Sequence, residues 1–137
     1  MEWGKDYRLG LIWQDFQHKE LIDRMVELEK AIREGADKND FYGMIGFLGN
    51  YINDHFALEE VYMKKYNYPH ALEHIKQHRK FSEEFRKFKS GCIYQEKKTS
   101  IELFDKLSLW VSTHLQVIDK TLAEFLIKKG LESPKIV

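Results

Sequence analysis

Apolar residues recur at helical spacing along nearly the whole chain. Leu21, Ile22, Met25, Leu28 and Ile32 fall three and four residues apart, the interval that aligns side chains on one face of an α-helix. His18 extends this stripe one turn upstream, and Gly35 is expected to close the helix, since glycine tolerates the left-handed backbone of a helix end. A second stripe runs through Met44, Ile45, Leu48, Tyr51, Ile52, His55, Glu59 and Tyr62. Asn39 or Asp40 is expected to cap its start. It must stop before the run Asn67-Tyr68-Pro69, because the residue ahead of a proline is pushed out of the helical region.

Pro69 is expected to open a third helix, where its missing N–H costs nothing. That helix carries His74, His78, Phe81 and Phe85 and should stop at Ser90-Gly91. A fourth is expected to start at Thr99, whose spacing to Glu102 suits a capping box. Its stripe is Leu103, Leu107, Trp110, Val111, His114, Ile118 and Leu122, ending at Gly130. Four helices with short connections predict an all-α fold, an antiparallel up-down-up-down four-helix bundle. One domain is expected: a bundle over about residues 12–130, an N-terminal arm over 1–11 pinned by Trp3, and a tail over 131–137.

Composition removes several alternatives. A chain of 137 residues can bury a sufficient core without disulfides, and its single cysteine, Cys92, in a polar connection, has no intrachain partner. Lys plus Arg equals Asp plus Glu at 22 each, so neither nucleic acid nor an anionic membrane is an expected partner. No apolar run approaches the ~20 residues of a membrane span. The opening MEWGKDYRLG lacks the basic start and apolar run of a secretory signal, so a cytoplasmic setting is expected.

The chemistry lies in polar residues that interrupt the apolar stripes. They are His18 on the first helix, His55 and Glu59 on the second, His74 and His78 on the third, and His114 with Asp119 on the fourth. One histidine on an apolar face is ordinarily a satisfied core residue. Five with two carboxylates would be ruinous to bury unless a cation held them. His55/Glu59 and His74/His78 are i, i+4 pairs, stacked one turn apart and able to reach a common centre. Imidazole-rich donors suit iron, zinc, copper or nickel and disfavour magnesium or calcium. Seven ligands exceed one tetrahedral zinc. They suit two metals bridged by the carboxylates and an oxide or hydroxide, which at about six positions per ion leaves one position open.

Other residues fall outside this set. His70 extends the His74/His78 series, but the first and last of the three lie about 12 Å apart along a helix, so His70 is expected at the surface. Glu60 and Glu73 point away from the stripe and are expected to be solvated or ion-paired. Five residues of ideal helix turn through about 500°, leaving His114 and Asp119 about 140° apart. A local widening of the helix, such as a π-bulge, would bring them together.

The order H…HxxxE…HxxxH…HxxxxD resembles the hemerythrin family. The blocks GLIWQDFQHKEL, HFALEEVYMKKYNYP, HIKQHRKF and HLQVIDK are similar to that family's successive ligand segments. The resemblance implies two non-haem irons, with His74, His78 and His114 on one and His18 and His55 on the other. Glu59 and Asp119 would bridge them, and dioxygen would occupy the open position on the iron of His18 and His55. The chain departs from the pattern at Gln14, before Asp15, where the family often has an aliphatic residue. Val111, Leu115 and Val117 are expected to wall the open position. Related di-iron bundles that activate oxygen use more carboxylates. The expected function is therefore reversible dioxygen binding for storage, transport or delivery, not catalysis. The alternatives are a di-iron enzyme removing peroxide or nitric oxide, and an oxygen or redox sensor acting through a partner.

Overall fold

The computed structural model describes residues 7–131, so Trp3 and the tail beyond Leu131 lie outside the described residues. Helices α1 (Ile12–Glu34), α2 (Lys38–Lys65), α3 (Ala71–Gly91) and α4 (Lys97–Thr113) follow in order. A π-helical segment, His114–Ile118, then joins α4 to α5 (Asp119–Lys128), so the last three form one continuous rod. The described residues contain no strand. Each of α1 to α4 packs against two neighbours, as in a four-helix bundle: α1 on α2 and α4, α3 on α2 and α4. No helix among the described residues is long and apolar enough to cross a membrane.

The helix ends are set by local chemistry, and several differ from expectation. Gly35 does close α1, with φ 95°, and its N–H bonds to Ala31 O at 3.0 Å. The cap of α2 is Asp37, not Asn39 or Asp40; its carboxylate accepts the Asp40 N–H at 3.0 Å. Pro69 sits in the turn before α3, which begins at Ala71. The capping box at Thr99 and Glu102 does not form. A turn in which Glu96 N–H bonds to Ile93 O at 3.0 Å already starts α4 at Lys97, leaving Thr99 exposed inside the helix. At the far end Gly130, φ 96°, lets the N–H groups of Gly130 and Leu131 reach Ile127 O and Leu126 O, both at 3.0 Å, the paired bonds of a Schellman close.

The described part of the N-terminal arm, from residue 7, is tied to the bundle. Asp15 in the first turn of α1 accepts the N–H groups of Leu9 and Gly10 at 2.7 and 3.1 Å, and Tyr7 Oη bonds to Ser112 Oγ at 2.9 Å. Cys92 is buried against the core, not set in a polar connection, and burial pushes its thiol pKa up despite a bond with Ser100.

Two apolar clusters fill the bundle. The larger includes Leu21, Met25, Ile45, Leu48, Ile52, Phe56, Phe81, Leu107, Val111 and Leu115. The smaller comprises Leu11, Met63, Tyr68, Leu122, Ala123 and Leu126 with their neighbours. Along the rods, most inward polar residues fall between the two, while His55 and His114 stand among the last residues of the larger. His18 comes between Leu11 and Leu21, Glu59 between Phe56 and Met63, His74 and His78 between Tyr68 and Phe81, Asp119 between Leu115 and Leu122. The fold thus carries a polar layer across its interior, closed above and below by hydrocarbon.

Candidate metal centre

All seven residues of the layer are buried, none more than 3% exposed. Their donor atoms form two overlapping groups, each within 4.8 Å throughout: Glu59, His74, His78, His114 and Asp119 in one, His18, His55, Glu59 and Asp119 in the other. Both carboxylates belong to both groups. Asp119 divides its oxygens between them. Its Oδ2 lies 2.8 Å from His18 Nε2 and 3.1 Å from His55 Nε2, and its Oδ1 lies 3.1 Å from His74 Nε2 and 3.0 Å from His114 Nε2. Glu59 is less symmetric: its Oε1 faces Nε2 of His78, His74 and His55 at 3.0, 3.3 and 3.5 Å.

The donors fit a metal pair better than they fit one another. His114 Nε2 and Asp119 Oδ1 are close enough to bond, yet neither makes a hydrogen bond among the described residues. Their lone pairs converge on shared space, an arrangement that leaves buried polar atoms orphaned unless a cation takes them up.

The π segment makes this convergence possible. Asp119 N–H bonds to His114 O, five residues back. The wider turn absorbs one residue, so His114 and Asp119 share a face much as the i, i+4 pairs do. It also turns Val117 outward. Val117 is 55% exposed and does not wall the interior, contrary to the sequence expectation.

Outer partners orient the rings. His55 Nδ1 donates to Gln17 Oε1 at 2.7 Å and His78 Nδ1 to Glu60 Oε2 at 3.0 Å, since these oxygens can only accept. Each Nδ1 proton leaves the matching Nε2 free as a donor atom toward the centre. Glu60 is therefore hydrogen-bonded to a residue of the site. Phe56 stacks on His78 with centroids 3.9 Å apart, and Trp110 on His114 at 4.8 Å. Sequence reasoning singled out Gln14 only as a departure from the family pattern and missed its contact with the site: its Nε2 donates to Glu59 Oε2 at 2.9 Å. The available signal was its position one turn before His18 on the same face. His70 is exposed and belongs to neither group.

The electrostatics follow from burial opposed by close opposite charge. Burial and the neighbouring Asp119 work against charge on Glu59, but His55 and the imidazoles of His74 and His78 packed against its oxygens outweigh them and bring its pKa down to about 2. Asp119 is likewise buried, and His114, His18 and His55 hold its carboxyl well below the usual range. Burial alone would lower His74, yet the carboxylates of Asp119 and Glu59 close beside its ring raise it to about 9.

Beside the layer lies a cavity of about 10 Å³ lined by Leu21, Ile52, His55, Phe56, Phe81, Trp110, Val111, His114 and Leu115. It joins one histidine from each group to an apolar wall.

A four-helix bundle with two overlapping, carboxylate-sharing histidine groups in its core defines a protein built to bind metal. Residues 10–126 match the family model of the hemerythrin HHE cation binding domain, and the chain belongs to that family. It is 28% identical over 126 residues to a bacteriohemerythrin of Stenotrophomonas maltophilia (strain R551-3), covering 89% of this chain and 78% of that protein. It is 29% identical over 118 residues to bacteriohemerythrins of Pseudomonas paraeruginosa (strain DSM 24068 / PA7) and Pseudomonas aeruginosa (strain LESB58), covering 83% of this chain and 73% of each.

Proposed function

We propose that this protein binds dioxygen reversibly at a non-haem di-iron centre. His74, His78 and His114 would hold one iron and His18 and His55 the other, with Glu59, Asp119 and an oxide or hydroxide bridging them. The observation that carries this reading is the small apolar cavity that touches both groups, through His55 and His114. Two ferrous ions, when bound, would supply the electrons that dioxygen needs to bind beside them. The chain's own residues do the rest. Asp119 and Glu59 offer oxygens to both groups, and Gln17 and Glu60 fix the rings of His55 and His78.

Leu115, Val111 and Phe56 line the cavity with hydrocarbon. A cavity of this size is at the limit for one water, and water would need several polar partners there. The lining offers few, so it keeps out the water and protons that would leave the irons ferric. The five-histidine, two-carboxylate donor set supports carriage of dioxygen over its reduction. The test adds oxygen to the anaerobic ferrous protein and then removes it, following the visible spectrum. Repeated return of the ferrous spectrum is expected. Steady turnover of peroxide or nitric oxide, with no return of oxygen, would replace the carrier with an enzyme.

A further inference from the structure

Gln14 is an anomaly in the core. It is fully buried, and its Oε1 makes no hydrogen bond among the described residues. An aliphatic side chain of similar size would fill the same space without an orphaned acceptor, whose burial is destabilising. What an aliphatic residue could not do is donate. The amide orientation is fixed by its partners: Nε2 lies 2.9 Å from Glu59 Oε2 and 3.4 Å from the backbone oxygen of Asp119, both of which only accept. Both N–H groups of Gln14 are therefore spent on the two residues shared by the halves of the centre.

Glu59 is the residue most affected. Its Oε1 faces His78, His74 and His55 at 3.0, 3.3 and 3.5 Å, which leaves Oε2 as the oxygen that only Gln14 contacts among the described residues. Gln14 holds that oxygen from α1, one turn before His18. The half containing His18 and His55 has two histidines against three in the other, so it depends more on the shared carboxylates. Hydrogen-bond partners that orient a ligating carboxylate commonly change metal affinity by about 10- to 100-fold.

We propose that Gln14 is a positioning residue of the centre, holding Glu59 through its Oε2 so that the ion bound with His18 and His55 is retained. The inference rests on the reading of Glu59 as a shared ligand, but not on what the centre does with oxygen.

The test titrates ion-free protein with cobalt(II) and follows its ligand-field absorption. Wild type is expected to take up two ions. Gln14→Leu and Gln14→Met, similar in volume and lacking a donor, are expected to bind the first ion within about two-fold of wild type. The second should bind at least about 10-fold more weakly. A space-filling role predicts wild-type affinities for both ions in both variants, and that result overturns the proposal, as does equal weakening of both ions. Wild-type protein that binds fewer than two ions overturns the dinuclear reading and this inference together. A second measurement needs no variant. In zinc-loaded, nitrogen-15-labelled wild type, the Gln14 side-chain amide protons should remain protected from exchange; exchange at the rate of a free amide overturns the proposal even if the variants fail to fold.

Discussion

His74 shows how a single side chain governs loading. Its ordinary pKa of 6.5 is pulled down by burial, but Asp119 and Glu59 overcome this and raise it to about 9. In the ion-free protein at neutral pH the ring therefore carries a proton that an incoming ion must displace. Metal affinity should climb as pH rises toward about 9 and flatten above it, with protons released per ion falling in step; a flat affinity from pH 7 to 9 would contradict this. The same shifts set the stability of the ion-free fold. The contribution from His74 is complete below 6.5 and lost as pH rises through about 9, while that from Glu59 is complete above 4.5 and lost as pH falls through about 2. The urea midpoint of ion-free protein should peak between about pH 4.5 and 6.5. At Leu115, 1% exposed and lining the cavity, alanine should cost about 2–5 kcal/mol of stability. Iron content should hold, while conversion of the oxygenated protein to the ferric state should run several-fold faster, about 1 kcal/mol in barrier; an unchanged rate would remove Leu115 as the shield. The seven buried layer residues were legible because polar side chains on an apolar stripe stand out. Gln14 stood out only as a departure from the family pattern, and its tie to the site was hidden because its partner Glu59 is 45 residues away.

At the scale of elements, the stripes located every helix but misplaced some of its ends. Apolar periodicity reports which face is buried and says little about which nearby polar residue stops the backbone. Asp37, Asn39 and Asp40 are all competent caps, and only the turn after Gly35 decides for Asp37. Asp37→Ala should therefore lower stability by about 1 kcal/mol, read as a shift in the denaturant midpoint. Thr99→Ala, exposed and inside α4, should change it by less than about 0.5 kcal/mol. The reverse ranking would mean that α4 is capped at Thr99 after all. The π segment was visible only as a conflict between the 3.6-residue period and the demand that His114 and Asp119 face one centre. The structure resolves it with one widened turn, and the same turn explains why Val117, placed inward by a straight-helix count, faces solvent.

The whole molecule is a bundle whose middle layer would be unfavourable to bury without something to hold it together. Five histidines and two carboxylates sit where two apolar clusters meet, shielded from water and converging in two overlapping groups. The architecture was legible because four apolar stripes with short connections admit few other arrangements. The overlap of the groups was less so, since it depends on how Asp119 splits its oxygens and on outer partners drawn from different helices. Sharing two carboxylates should make the pair of ions one unit, each set of donors ordered by the other. The most direct measurement of this claim is native mass spectrometry of the chain reconstituted anaerobically with ferrous iron. The account predicts a saturated species carrying two irons per chain. Saturation at a single iron, or a chain that stays metal-free at excess ferrous ion, would contradict it.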